Sequence, residues 1–108
     1  MEIWTVIAGL EGQTLKTLDR GRPFDIVRVG PRAVIVRLHS TGRERRVERD
    51  DVESAFDELR QRGQLTPTDI HERHSAVDPA YVAAMLAQHP AISATTKPIT
   101  LYFGRGET

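Results

Sequence analysis

The first apolar run, Ile3-Trp4-Thr5-Val6-Ile7-Ala8, places hydrophobic side chains on both parities of an extended chain, the pattern of a strand covered on both faces. Gly9 to Gly12 breaks it, and Thr14-Leu15-Lys16-Thr17-Leu18 reads as a second, shorter strand before the turn cluster Asp19-Arg20-Gly21-Arg22-Pro23. Phe24 to Val29 and Arg32 to Leu38 are strand-like, and Gly30-Pro31 between them suits a two-residue type II′ turn. That turn opposes Val29 to Arg32, Val27 to Val34 and Asp25 to Val36 on a face meant for the core. Arg28 with Ala33, Ile26 with Ile35 and Phe24 with Arg37 fall on the other.

Ser40-Thr41-Gly42 has the form of a three-residue loop with glycine in the left-handed position, which predicts a second hairpin. In that register Arg43, Arg45, Val47 and Arg49 join the face of Arg28, Arg37 and His39, while Glu44, Arg46 and Glu48 take the opposite one. A two-residue loop at Thr41-Gly42 slips the strand by one and sends Arg45 and Arg49 to the other side. The loop therefore decides whether a basic face exists.

Periodicity then changes from two to 3.6. Asp50 or Asp51 caps a helix to about Arg62 with Val52, Ala55, Phe56 and Leu59 as its apolar stripe and Gly63 as its stop. Thr66-Pro67 opens a short helix to about His74, and Asp78-Pro79 opens another to about His89, halted by Pro90. Ile99 to Phe103 alternates apolar and polar residues and reads as a closing strand set beside the first. The fold class is α+β: a twisted antiparallel sheet of about four to six strands, a meander over 13–49 with N- and C-terminal strands added, packed against about three helices. At 108 residues the chain has room for one core and hence a single globular domain, 1–108.

Composition narrows the function. With no cysteine, disulfides, thiolate metal sites and thiol nucleophiles are excluded. The acidic, soon polar start lacks the basic region and apolar run of a signal peptide, and no stretch suits a membrane span, so a cytoplasmic setting is expected. Thirteen arginines against two lysines, with abundant alanine, fit a GC-rich, bacterial coding bias. Formal net charge is zero, but from Lys16 to Arg49 ten basic residues meet four acids, and from Asp50 to Glu72 seven acids meet two arginines.

The arginine-rich hairpin is the feature that points to a partner, because guanidinium forks match phosphate oxygens and guanine edges and a two-stranded ribbon fits a nucleic-acid groove. The expected function is a non-enzymatic nucleic-acid-binding module, DNA before RNA. Arg28, Arg37, Arg43, Arg45 and Arg49 would lie on the backbone, and Arg46 or His39 would reach base edges. The alternative is a regulatory or adaptor domain that binds an acidic protein surface, or pairs as a homodimer through its opposed basic and acidic segments.

Other constellations are weaker. Asp50-Asp51-Val52-Glu53 resembles a magnesium cluster, but first-turn acids are what the helix dipole favours. His71 and His74 are two imidazoles where zinc needs three or four ligands. The helix pair 67–74 and 79–89 has a helix-turn-helix outline, yet Pro79, Ala80, Tyr81 and Val82 offer no base-reading groups. Ser54 and the other serines have no sequence-evident partners for a triad, and the glycines do not space into a phosphate loop. No cofactor and no metal are expected.

Overall fold

The computed structural model describes residues 1–76 and 78–104. The fold is α+β, with two antiparallel sheets and four helices in the order α1 (Ile3–Ala8), β1 (Thr14–Lys16), β2 (Pro23–Val29), β3 (Ala33–Leu38), β4 (Glu44–Glu48), α2 (Arg49–Arg62), β5 (Gln64–Leu65), α3 (Pro67–Arg73), α4 (Pro79–Leu86), β6 (Ile92–Thr96) and β7 (Ile99–Phe103). One sheet runs β1-β2-β3-β4 and the other β5-β7-β6.

The expected first strand is a helix. Ile3, Trp4 and Ile7 are its buried residues, and Leu10 follows one turn later. The spacing i, i+1, i+4, i+7 is a helical stripe, and packing against α2 outweighs the β propensity of Ile, Trp and Val in so short a segment. With no strand at the N-terminus, β7 pairs instead with β5 and β6. The single extended sheet expected from the sequence is therefore two separate ones.

The helix stops and Pro-marked starts follow the expected signals, but α2 begins at Arg49, so its N-cap is Glu48, without a side-chain cap hydrogen bond, and not Asp50 or Asp51, and α4 ends at Leu86 before the expected His89. Glu48 precedes α2, Asp50 and Asp51 occupy its first turn, Arg60 and Arg62 its last, and Gly63 ends it at φ +83°. Thr66 and Asp69 form a reciprocal capping box on α3, with Pro67 in the first turn. Asp78 and Pro79 start α4, which buries Val82 to Leu86, so the second helix of the helix-turn-helix outline lies inside the molecule. Its Tyr81 meets Phe24 edge-on at 5.0 Å, tying α4 to the first sheet. One continuous core links both sheets and all four helices, from Ile7 through Phe24, Ile26, Val34 and Val36 to Leu59, Ile70, Met85 and Leu101.

The hairpin registers differ from the expected ones, and this difference places every arginine. The β2–β3 turn is Pro31-Arg32, closed by the Gly30 N–H donating to the Ala33 carbonyl at 2.8 Å. Val29 faces Val34 and Arg28 faces Ile35, then a bulge at Val27 shifts the ladder so that Ile26 faces Val36 and Phe24 faces Leu38. The bulge turns Phe24 and Ile26 into the core. The β3–β4 loop has four residues, His39 to Gly42, with Gly42 at φ +71° and the Leu38 N–H donating to the Arg43 carbonyl at 2.9 Å. Arg45 then faces Val36, Arg46 faces Ile35 and Glu44 faces Arg37.

Candidate nucleic-acid interface

Because side chains alternate along β4, the four-residue loop divides the arginines expected on one face. Arg43, Arg45 and Val47 lie on the side of Val34 and Val36, towards the core, whereas Arg28, Arg37 and Arg46 share the outer side with Ile35. The shared face of Arg28, Arg37, His39, Arg43, Arg45 and Arg49 does not form. Its physical cause is one residue of loop length together with the Val27 bulge.

Each candidate residue has a definite place. Arg45 reaches across to the N-cap of α4, where its guanidinium donates to the buried Asp78 carboxylate at 3.1 Å. Burial raises the Asp78 pKa, and the ion pair with Arg45 only partly opposes that. Arg49 stands at the head of α2, donating to Glu53 and to the Pro31 carbonyl at 3.1 Å each, with its guanidinium 5.2 Å from the Trp4 ring centroid. Trp4 Nε1–H donates to the Gly30 carbonyl at 3.2 Å. Arg49 and Trp4 together pin the β2–β3 turn to α1 and α2, which are structural tasks.

At the other end of the outer face, charge is neutralised locally. Arg37 pairs across strands with Glu44 at 2.7 Å. His39 donates to Asp25 at 2.8 Å, and Thr14 donates to the same carboxylate at 2.5 Å. These two hydrogen bonds, the threonine's first, hold the Asp25 carboxyl below its usual range. His39 is therefore engaged within its own sheet, and Arg43 lies exposed beside the β3–β4 loop with no ion pair among the described residues.

The turn end is different. Arg28 from β2, Arg32 from the turn and Arg46 from β4 border a shallow groove of about 420 Å³ whose floor includes Pro31, Ala33 and Ile35. Among the described residues no carboxylate lines it. Arg28 and Arg32 form no ion pair among the described residues, and Arg46 holds only Glu48 on its own strand, at 2.6 Å with both side chains half exposed. Such an exposed pair is worth at most about 1 kcal/mol. Arg32 was not singled out by the sequence because its strand assignment placed it against Val29; the turn's one-step shift to Pro31-Arg32 brings it to the rim.

A second cluster also escaped the sequence. On α2 and the end of α3, His74 Nε2–H donates to Glu58 at 2.7 Å, and His74 Nδ1 lies 2.8 Å from Ser54 Oγ. Glu58 further accepts from Arg62 at 2.6 Å and from Arg73 through both of its oxygens. The guanidinium of Arg73 above all holds the Glu58 carboxyl far below the usual range. The order Ser–His–Glu is that of a hydrolytic relay, but Ser54 lies inside α2, so its own backbone N–H is committed to the helix. Ser54 Oγ also donates to the Asp51 carbonyl at 3.1 Å. The cluster is a satisfied clasp between α2 and α3.

No protein-family model, curated protein or solved structure matches the chain. Among the described residues no helix is long and apolar enough to cross a membrane.

Proposed function

We propose that the protein is a non-enzymatic nucleic-acid-binding module that holds the phosphate backbone of duplex DNA in the groove of Arg28, Arg32 and Arg46. The observation that carries the reading is that three arginines, from two strands and a turn, border one hollow with no carboxylate in its lining among the described residues. Arginine forks match phosphate oxygens geometrically, and a cluster of them with only Arg46 paired to a carboxylate carries local positive charge that attracts polyanions.

The chemistry of the groove favours backbone over base. The chain contains no asparagine, and neither glutamine nor an aromatic ring lines the groove, so adenine readout and base stacking both lack their usual groups. Duplex DNA of any sequence is the expected ligand, with Arg46 the one guanidinium whose present partner must be exchanged. The alternative of self-association through opposed charge segments is less well supported. Acids of α2 are already engaged within the chain, Glu53 by Arg49, Asp57 by Arg60 and Glu58 by Arg62 and Arg73.

The test is fluorescence anisotropy of a labelled duplex oligonucleotide with wild type and with Arg28→Ala/Arg32→Ala/Arg46→Ala. The sole tryptophan, hydrogen-bonded to Gly30 at the groove, gives a second, label-free signal. Saturable binding that the triple substitution abolishes supports the reading. Equal binding by both proteins, or none by wild type at low salt, refutes it.

A further inference from the structure

The two sheets end in edge strands of very different character. β4 carries Glu44, Arg45, Arg46 and Glu48 in five residues, a charged edge of the kind that discourages strand addition. β1 has three residues and β5 two. β6 is the exception. Over Ile92-Ser93-Ala94-Thr95-Thr96 it has no charge, no proline and no bulge, and its last four residues are exposed. Among the described residues it pairs only with β7, so beyond Ile92, whose N–H already donates to the His89 carbonyl at 3.0 Å, its outer edge presents backbone N–H and C=O groups to solvent.

We propose that β6 pairs antiparallel with β6 of a second copy, about a two-fold axis at Ala94, joining two three-stranded sheets into one of six strands. The occupant follows from self-complementarity. An isologous antiparallel pair centred on Ala94 sets Ala94 opposite Ala94, Ser93 opposite Thr95 and Ile92 opposite Thr96, so each contact joins small or β-branched uncharged side chains, with hydroxyls able to hydrogen-bond across the pair. Lys97 falls opposite Ala91 in this register and meets no like charge. The same operation on β4 places Arg46 on Arg46 and Glu44 on Glu48, like charges directly opposite, which a sheet disfavours.

The association is independent of nucleic-acid binding and uses a different sheet from the arginine groove. A contact of five residues per chain is small, which places it among weak, concentration-dependent dimers.

Sedimentation equilibrium from micromolar to near-millimolar protein tests it. The apparent mass should climb with concentration from 12.1 kDa towards twice that value. Ala94→Lys and Ala94→Glu each place like charges on the axis and should each remain monomeric. An equimolar mixture of the two should recover dimer, and that recovery also verifies that both variants fold. Wild type that stays monomeric throughout, Ala94→Lys that dimerises like wild type, or a mixture that does not recover each overturns the proposal.

Discussion

Glu58 offers the most searching check on how the helices are held together. Its carboxylate accepts from Arg62 on the same helix, from Arg73 on α3 through both oxygens, and from His74 just beyond α3. The Arg62 contact is an i,i+4 pair with a half-exposed guanidinium, worth about 0.3–0.5 kcal/mol. The two-oxygen Arg73 contact, its guanidinium 41% exposed, is weakened by solvent screening. His74 is 9% exposed, and loss of its acceptor leaves an imidazole N–H poorly satisfied, about 1 kcal/mol more. Glu58→Ala should therefore cost at least about 1.4 kcal/mol, which for a domain of this size lowers Tm by at least about 6 °C.

The pH dependence has a fixed sign. Glu58 has a depressed folded-state pKa, so its contribution is fully present above the unfolded value of about 4.3 and is lost as pH falls from there towards the folded value. Thermal unfolding followed by circular dichroism should show the gap between wild type and Glu58→Ala at pH 7, shrinking below about pH 4. A variant within about 1 °C of wild type at pH 7, or a gap that stays constant to about pH 3, refutes this account.

Arg45→Ala should destabilise by about 1–2 kcal/mol in urea titrations while leaving DNA affinity within about twofold, because its guanidinium serves Asp78 and not the groove. Asp78 has the opposite linkage to Glu58. Its folded pKa is raised by burial, so its ionised form opposes folding and stability is lost as pH rises through the folded value. Asp78→Asn should thus match or exceed wild type at pH 7 and lose that advantage below about pH 4; a marked loss at pH 7 contradicts the assignment. Ile26→Ala empties a fully buried site beside the bulge and should cost about 2–5 kcal/mol, measured by the urea midpoint. Thr66→Ala removes one half of the α3 capping box and should cost about 1 kcal/mol by the same measurement.

The helices after residue 48 were readable because their signals are local. Thr66-Pro67, Asp78-Pro79 and Gly63 act within a turn of where they stand, and the stripe Val52, Ala55, Phe56, Leu59 repeats at 3.6. Hairpin register is not local in that sense. The Val27 bulge exists because Phe24 and Ile26 reach the core on one side of it while Val29 faces Val34 on the other, a tertiary requirement with no residue-level mark. Likewise nothing in His39-Ser40-Thr41-Gly42 separates a four-residue loop from a three-residue one, and that single step moved Arg45 to Asp78 and Arg46 to the outer face.

The N-terminal segment misled for a related reason. Six residues rich in Ile, Val and Trp satisfy both periods, and only Leu10, beyond the break at Gly9, completes the helical stripe. Strands β5 and β6 carry too few large apolar residues to signal themselves, so the second sheet was invisible until β7 supplied their partner. The arginine excess was legible as a charge count; its reduction to Arg28, Arg32 and Arg46 was not, because it depends on which carboxylates the fold brings to the others.

The proposed role of the three arginines at the β2–β3 turn is to hold a phosphate backbone. Salt dependence measures the number of such contacts, since log K falls with log [salt] at a slope of about −0.9 per phosphate neutralised. Wild type should give a slope near −2.7 on duplex DNA, a loss of about 40-fold in affinity between about 50 and 200 mM salt. Arg28→Ala, Arg32→Ala and Arg46→Ala should each flatten that slope by about one, whereas Arg37→Ala, Arg45→Ala and Arg49→Ala should leave it near the wild-type value. A slope near zero for wild type, or one that falls equally for both sets of substitutions, contradicts the assignment of the groove.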